Sequence, residues 1–161
     1  MQIERYDLRD DGLVPNNSAL ALVVYRGTFK QSARDAEQSI IRRFAANGWS
    51  NAWINGIYAF QHYHATAHEV LGLARGSARV QFGGLEGPVV VVSAGDVVLI
   101  PAGVGHCRID ASADLSVVGA YPGGAVPDLQ RAMQDARLAA MTTIPLVPPW
   151  RNDPVTGKLN E

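Results

Sequence analysis

A chain of 161 residues is about one domain's worth of sequence, and a domain of that size can build a core without disulfide staples. With 47% hydrophobic and 18% charged residues it reads as ordinary globular protein rather than disordered chain. Fourteen Lys and Arg against fifteen Asp and Glu leave a net charge of −1, with no surplus of positive charge for a phosphate backbone, so no nucleic-acid partner is expected. The single cysteine, Cys107, excludes an intramolecular disulfide and a thiolate-rich zinc site.

The N-terminus MQIERYDLRDDGLVP mixes charges of both signs and holds no apolar signal core. The longest apolar run, residues 19–25, is far too short to cross a bilayer. A cytoplasmic protein with no membrane partner is the expectation. A first strand is predicted at Leu20–Arg26. A helix follows, with Ser32 as cap, an apolar stripe of Ala36, Ile40 and Phe44, and a stop at Asn47-Gly48.

Between residues 57 and 121 short β-rich runs alternate with glycine punctuation. The predicted strands are Ile57–His64, Glu69–Arg75, Ala78–Phe82, Val89–Val92, Val97–Ile100, Gly105–Ile109 and Leu115–Tyr121. Such short strands without helical crossovers indicate an antiparallel sandwich or barrel. A second helix is predicted at Asp128–Met141, with Leu129, Met133, Ala136 and Ala140 on one face. The proline-rich tail is expected to lie across the domain, with Trp150 as an anchor. One domain spanning 1–161 is expected: an N-terminal strand and helix at 18–48, a barrel at about 50–122, and a helix and tail at 127–161.

Histidine is the scarce residue, with four copies at 62, 64, 68 and 106. On a strand, His62 and His64 would share one face, and Glu69 opens the next strand where it can face the same interior. His106 starts a later strand after a Pro101, Ala102, Gly103 break. Three imidazoles and a carboxylate converging from separate strands suit one divalent transition metal such as Zn, Fe, Ni, Mn or Cu. Such a ligand set leaves coordination positions open for water or substrate.

These segments resemble the two signature motifs of the cupin superfamily. In G-x5-H-x-H-x4-E-x6-G, Gly56, His62, His64, Glu69 and Gly76 fill every fixed place. In G-x5-P-x-G-x2-H-x3-N, Gly95, Pro101, Gly103 and His106 match, and Asp110 replaces the asparagine. The stretches HYHATAHEVLG, IPAGVGH, VVGAYPGG and DPVTGK are similar to the small bacterial single-domain cupins of the YjlB-like group. The resemblance implies an all-β fold, a cupin jelly-roll barrel with two flanking helices. It also implies that His62, His64, Glu69 and His106 are metal ligands.

Several roles stay open at this level. Glu69 either ligates the metal or stands off as a general base. His68 is either a proton-transfer group near the barrel mouth or an outward-facing residue. Tyr58 shares parity with His62 and can line the pocket, giving its hydroxyl to a substrate. Arg108 shares parity with His106 and either binds an anion or lies exposed. Cys107 reads as a small filler. The expected function is a small-molecule metalloenzyme, dioxygenase- or isomerase-like, with a non-catalytic binding or sensing module as the alternative. The resemblance also implies a homodimer, with Leu20–Arg26 suited to pairing or strand exchange.

Overall fold

The computed structural model describes residues 1–30 and 34–160. Eleven antiparallel strands form two facing sheets among these residues. They are β1 (Gln2–Tyr6), β2 (Leu22–Arg26), β3 (Trp49–Asn55), β4 (His62–Tyr63), β5 (Glu69–Arg75), β6 (Ser77–Phe82), β7 (Val89–Ser93), β8 (Val97–Ile100), β9 (His106–Ala111), β10 (Ser116–Pro122) and β11 (Gln130–Arg131). The six-stranded sheet runs β1-β2-β8-β5-β10-β3, and the five-stranded sheet runs β11-β4-β9-β6-β7. Sequence neighbours repeatedly lie on opposite sheets, as in a jelly roll.

Strict alternation separates two apolar layers. Leu22, Val24, Leu71, Leu73, Val98, Ile100 and Val117 point between the sheets, where they meet Val80, Phe82, Val90 and Val92. The intervening Val23, Val70, Val97, Leu99 and Val118 point the other way, onto helix α1 (Ala36–Ala46). α1 buries Ala36, Ile40 and Phe44, as the stripe predicts. Burying side chains of the Ile and Phe class contributes roughly 1.5–3 kcal/mol each. The contact is close: a Cβ at Gly72 would sit 2.6 Å from Ile40 and 3.1 Å from Phe44. Ser32, the predicted cap, lies outside the described residues; the residue preceding the helix is Asp35.

Three expectations need correction. The strand predicted at Ile57–His64 is nearly all loop, since only His62 and Tyr63 pair. The missed strand lies just before it, at β3. Asn51 takes a left-handed φ of 58°, and the register against β10 shifts between Gly119 and Tyr121, so alternation in β3 is broken. The second helix, α2, begins at Gln134 rather than Asp128 and buries only Ala140. Residues 128–131 instead bind the turn after His64 and pair with β4, a tertiary override of helix propensity. Finally, β2 has no free edge. The unforeseen β1 pairs with it on one side and β8 on the other, so it is an interior strand of its sheet rather than an exposed edge.

The tail crosses the outside of the six-stranded sheet as expected. Trp49 donates from Nε1 to the Asn152 carbonyl at 2.8 Å, Val155 is buried, and Trp150 packs 6.1 Å from the Trp49 ring. No helix among the described residues is long and apolar enough to cross a membrane.

Candidate metal centre

His62 and His106 are direct cross-strand partners on β4 and β9, which brings their ring centroids to 4.0 Å. His64 follows β4 by one residue, with its ring centroid 5.7 Å from that of His106. One ring nitrogen from each of the three lies within 4.8 Å of the others. Glu69, at the start of β5 on the facing sheet, points into the same space. Its Oε2 is 3.4 Å from His64 Nε2, and its Oε1 is 3.4 Å from His106 Nε2.

Hydrogen bonding sets the tautomers. Each Nδ1 of the cluster meets a backbone carbonyl: His62 with Phe60 at 2.9 Å, His64 with Asp128 at 2.5 Å, His106 with Val104 at 3.1 Å. A carbonyl can only accept, so each Nδ1 carries the hydrogen. In the neutral rings the lone pairs therefore sit on Nε2, and those of His64 and His106 face the Glu69 carboxylate. In that state the converging acceptors repel, and a proton or a metal cation between them relieves the repulsion. The donor set, three imidazoles and a carboxylate, fits a borderline divalent metal.

The titration behaviour follows from the same contacts. Burial, with His106 alongside, pushes His62 down to about 3. Burial alone would lower His64 as well, but the adjacent Glu69 raises it above the ordinary imidazole value. Burial would raise Glu69, yet the imidazoles of His106 and His64 hold it well below the usual carboxylate range.

The second motif positions this cluster through its turn. Gly103 N–H donates to the His64 carbonyl at 2.8 Å, and Gly103 has a φ of 91°, where a side chain would be strained. A Cβ there would also lie 2.5 Å from the Asn16 carbonyl oxygen. Asp110, the departure from the motif, pairs with Arg79 on the exposed face of the five-stranded sheet and does not line the cavity.

His68 does not join the cluster. It is 2% exposed on the opposite face of the chain from Glu69, beneath the tail. Its Nδ1 accepts from the Ala102 N–H at 2.9 Å, its Nε2 donates to the Pro148 carbonyl at 3.0 Å, and Trp150 packs edge-on at 5.1 Å. Both nitrogens are engaged by backbone and the ring does not line the cavity, so the proton-transfer role expected of it has no geometric support. Tyr58 lines the cavity but at its mouth, 55% exposed. Its ring stacks on Phe60 at 4.8 Å and meets His62 edge-on at 5.1 Å. Cys107 is partly buried, and burial pushes its thiol up, away from nucleophilic character.

Two contributors escaped the sequence reading. Tyr121 donates to Glu69 Oε2 at 2.8 Å and accepts from Trp53 Nε1 at 2.7 Å, a relay that orients the carboxylate. Gly119 makes room for it, because a Cβ there would sit 2.1 Å from the Trp53 ring. The parity of Val117 along β10 is the signal that could have placed Tyr121 inward. Asp128 gives its carbonyl to His64, while its Oδ1 accepts from the backbone of Ala65 and Thr66 and from the Thr66 hydroxyl. No local pattern marks it. The cavity these groups share measures about 570 Å³ and is walled by Trp53, Ile57, Leu71 and Leu129.

No family model matches the chain. It is 40% identical over 157 residues to the uncharacterized protein YjlB of Bacillus subtilis (strain 168), covering 98% of this chain and 92% of that protein. Among solved structures, acireductone dioxygenase from Bacillus anthracis with cadmium ion in its active centre aligns with a TM-score of 0.39 at 18% identity. That alignment covers 56% of this chain and 62% of the dioxygenase, less than two thirds of its length. A DUF861 family protein from Thermotoga maritima aligns with a TM-score of 0.34 at 17% identity, covering 50% of this chain and 86% of that one. With 40% identity to YjlB over nearly its full length, on an antiparallel jelly roll, the chain belongs to the YjlB family.

Proposed function

We propose that this protein is a small-molecule metalloenzyme, with dioxygenase- or isomerase-like chemistry at a divalent ion held by His62, His64, His106 and Glu69. The observation that carries the reading is the tautomer pattern. All three cluster histidines spend Nδ1 on a backbone carbonyl, which leaves the Nε2 lone pairs for an ion. A divalent ion there supplies Lewis-acid polarisation, and a redox-active one supplies oxygen chemistry, at the positions the side chains leave open.

The chain's own groups have distinct tasks. The three backbone carbonyls and the Asp128 contacts fix the imidazole orientations. Tyr121 holds the Glu69 carboxylate toward the histidines. Asp128 also lines the cavity, but its carboxylate is taken up by Ala65, Thr66 and Gln130. Glu69 is therefore the carboxylate left to face an ion, and its lowered proton affinity favours ligation over the general-base role. Tyr58 and Phe60 stack at the mouth, with the Arg131 guanidinium 3.9 Å over the Phe60 ring. They shape an entrance for a small organic molecule.

The test begins with protein purified without chelator and analysed for metal. It is then incubated in air with a panel of small organic acids and phenols, while substrate loss and oxygen uptake are followed. Turnover that vanishes in His64→Ala is expected. Ligands retained unchanged, with no conversion on any metal tried, would replace the enzyme with a binding module.

A further inference from the structure

β9 leaves the metal centre at His106 and runs outward. Alternation sends Cys107 to the other face and returns Arg108 to the cavity, roughly 6–7 Å further along the strand. The backbone is pinned there, because Arg108 N–H donates to the Tyr58 carbonyl at 2.9 Å. Arg108 lines the same cavity as His62, His64 and His106, is partly buried, and is its only Lys or Arg among the described lining residues.

The protein does not neutralise it. Among the described residues the Arg108 guanidinium makes no ion pair and no side-chain hydrogen bond, whereas Arg26, Arg79 and Arg137 are each matched to a carboxylate. The acids that could have answered it are committed elsewhere. Glu69 faces two imidazoles and Tyr121, Asp128 is held by the Ala65–Thr66 turn, and Asp110 pairs with Arg79. An unpaired guanidinium facing a cavity with apolar walls is suited to receive a carboxylate, because its planar fork matches a carboxylate with two parallel hydrogen bonds.

We infer that Arg108 binds the carboxylate of the substrate, which makes the substrate class a small organic acid with an apolar or aromatic body. Trp53, Ile57, Leu71 and Leu129 wall the space such a body would fill. This deepens the metalloenzyme reading and rests on it for the substrate's other end. The anion preference itself belongs to Arg108 and needs no ion.

The probes are benzoate and phenylacetate against benzamide and phenylacetamide, titrated by calorimetry into metal-free and zinc-loaded protein. Carboxylates should bind at least about tenfold more tightly than their amides in both forms. Arg108→Met should erase that preference while leaving thermal stability and zinc stoichiometry unchanged, and Arg108→Lys should restore part of it. Three results would overturn the inference: carboxylates no tighter than amides, no carboxylate binding up to about 10 mM, or a preference that survives in Arg108→Met. The last would make the bound ion the anion site. Zinc stoichiometry separates the two ideas. Failure of the wild type to take up zinc removes the metal reading, while the preference in metal-free protein still decides the role of Arg108.

Discussion

His68 lies within six residues of His62 and His64 and, like His62 and His106, is almost fully buried, yet hydrogen bonding divides it from the cluster. In His62, His64 and His106 the Nδ1 hydrogen is donated to a carbonyl and the Nε2 lone pair points outward from the ring. In His68 the tautomer is reversed: Nδ1 accepts from Ala102 and Nε2 donates to Pro148, so the ring has nothing left to offer. A histidine keeps the capacity to ligate when the backbone takes one nitrogen and leaves the other. It becomes a brace when the backbone takes both. His68 ties the Pro101–Gly103 turn to the tail, while the same turn ties Gly103 to the His64 carbonyl. The brace and the histidine cluster are thus attached to one turn.

The largest effect that would sharpen this contrast comes from His68→Ala. It strands the Ala102 N–H and the Pro148 carbonyl and leaves a void beside Trp150, at a cost of about 2–3 kcal/mol in urea unfolding of metal-free protein. Ion binding should persist in that variant, so a loss of ion binding with the fold intact would break the distinction.

Acid titration comes next. Burial lowers His68, and burial with its neighbouring imidazoles lowers His62 to about 3 from an ordinary 6.5. The unfolded chain then binds protons that the folded chain refuses, so metal-free stability should fall as pH drops below about 6.5. His64, which is raised, acts in the opposite sense and offsets part of the loss. Denaturant midpoints measured from pH 7 to 4 should fall, and His68→Ala should flatten the slope. A slope unchanged by that substitution would deny His68 its neutral, braced state.

The smallest effect expected is on Asp128→Ala. It keeps the carbonyl that holds His64 but loses the carboxylate that anchors it to the Ala65–Thr66 turn. Metal affinity should weaken about tenfold by competition with a chromophoric chelator, with stoichiometry unchanged.

Much of the barrel was legible because burial on one or both faces leaves a period in the sequence. β5 and β8 fall where predicted, and β6, β7, β9 and β10 differ from prediction by one or two residues at their ends. β3 was hidden because Asn51 and a register shift break its alternation. The apolar run at 57–60 looks like a strand because Ile57 enters the core and Tyr58 and Phe60 stack on each other, not because it pairs. Of the candidate site, the three histidines and Glu69 were visible through spacing. Tyr121 and Asp128 act from elements 50 or more residues away, and only the folded chain brings them there.

The most direct measurement is a calorimetric titration of zinc into metal-free wild type, His106→Ala and His68→Ala. The expected result is one ion per chain in the wild type, none at the same affinity in His106→Ala, and one in His68→Ala. Zinc uptake that survives in His106→Ala, or that fails in a folded wild type, would contradict the assignment of this histidine cluster as the metal centre.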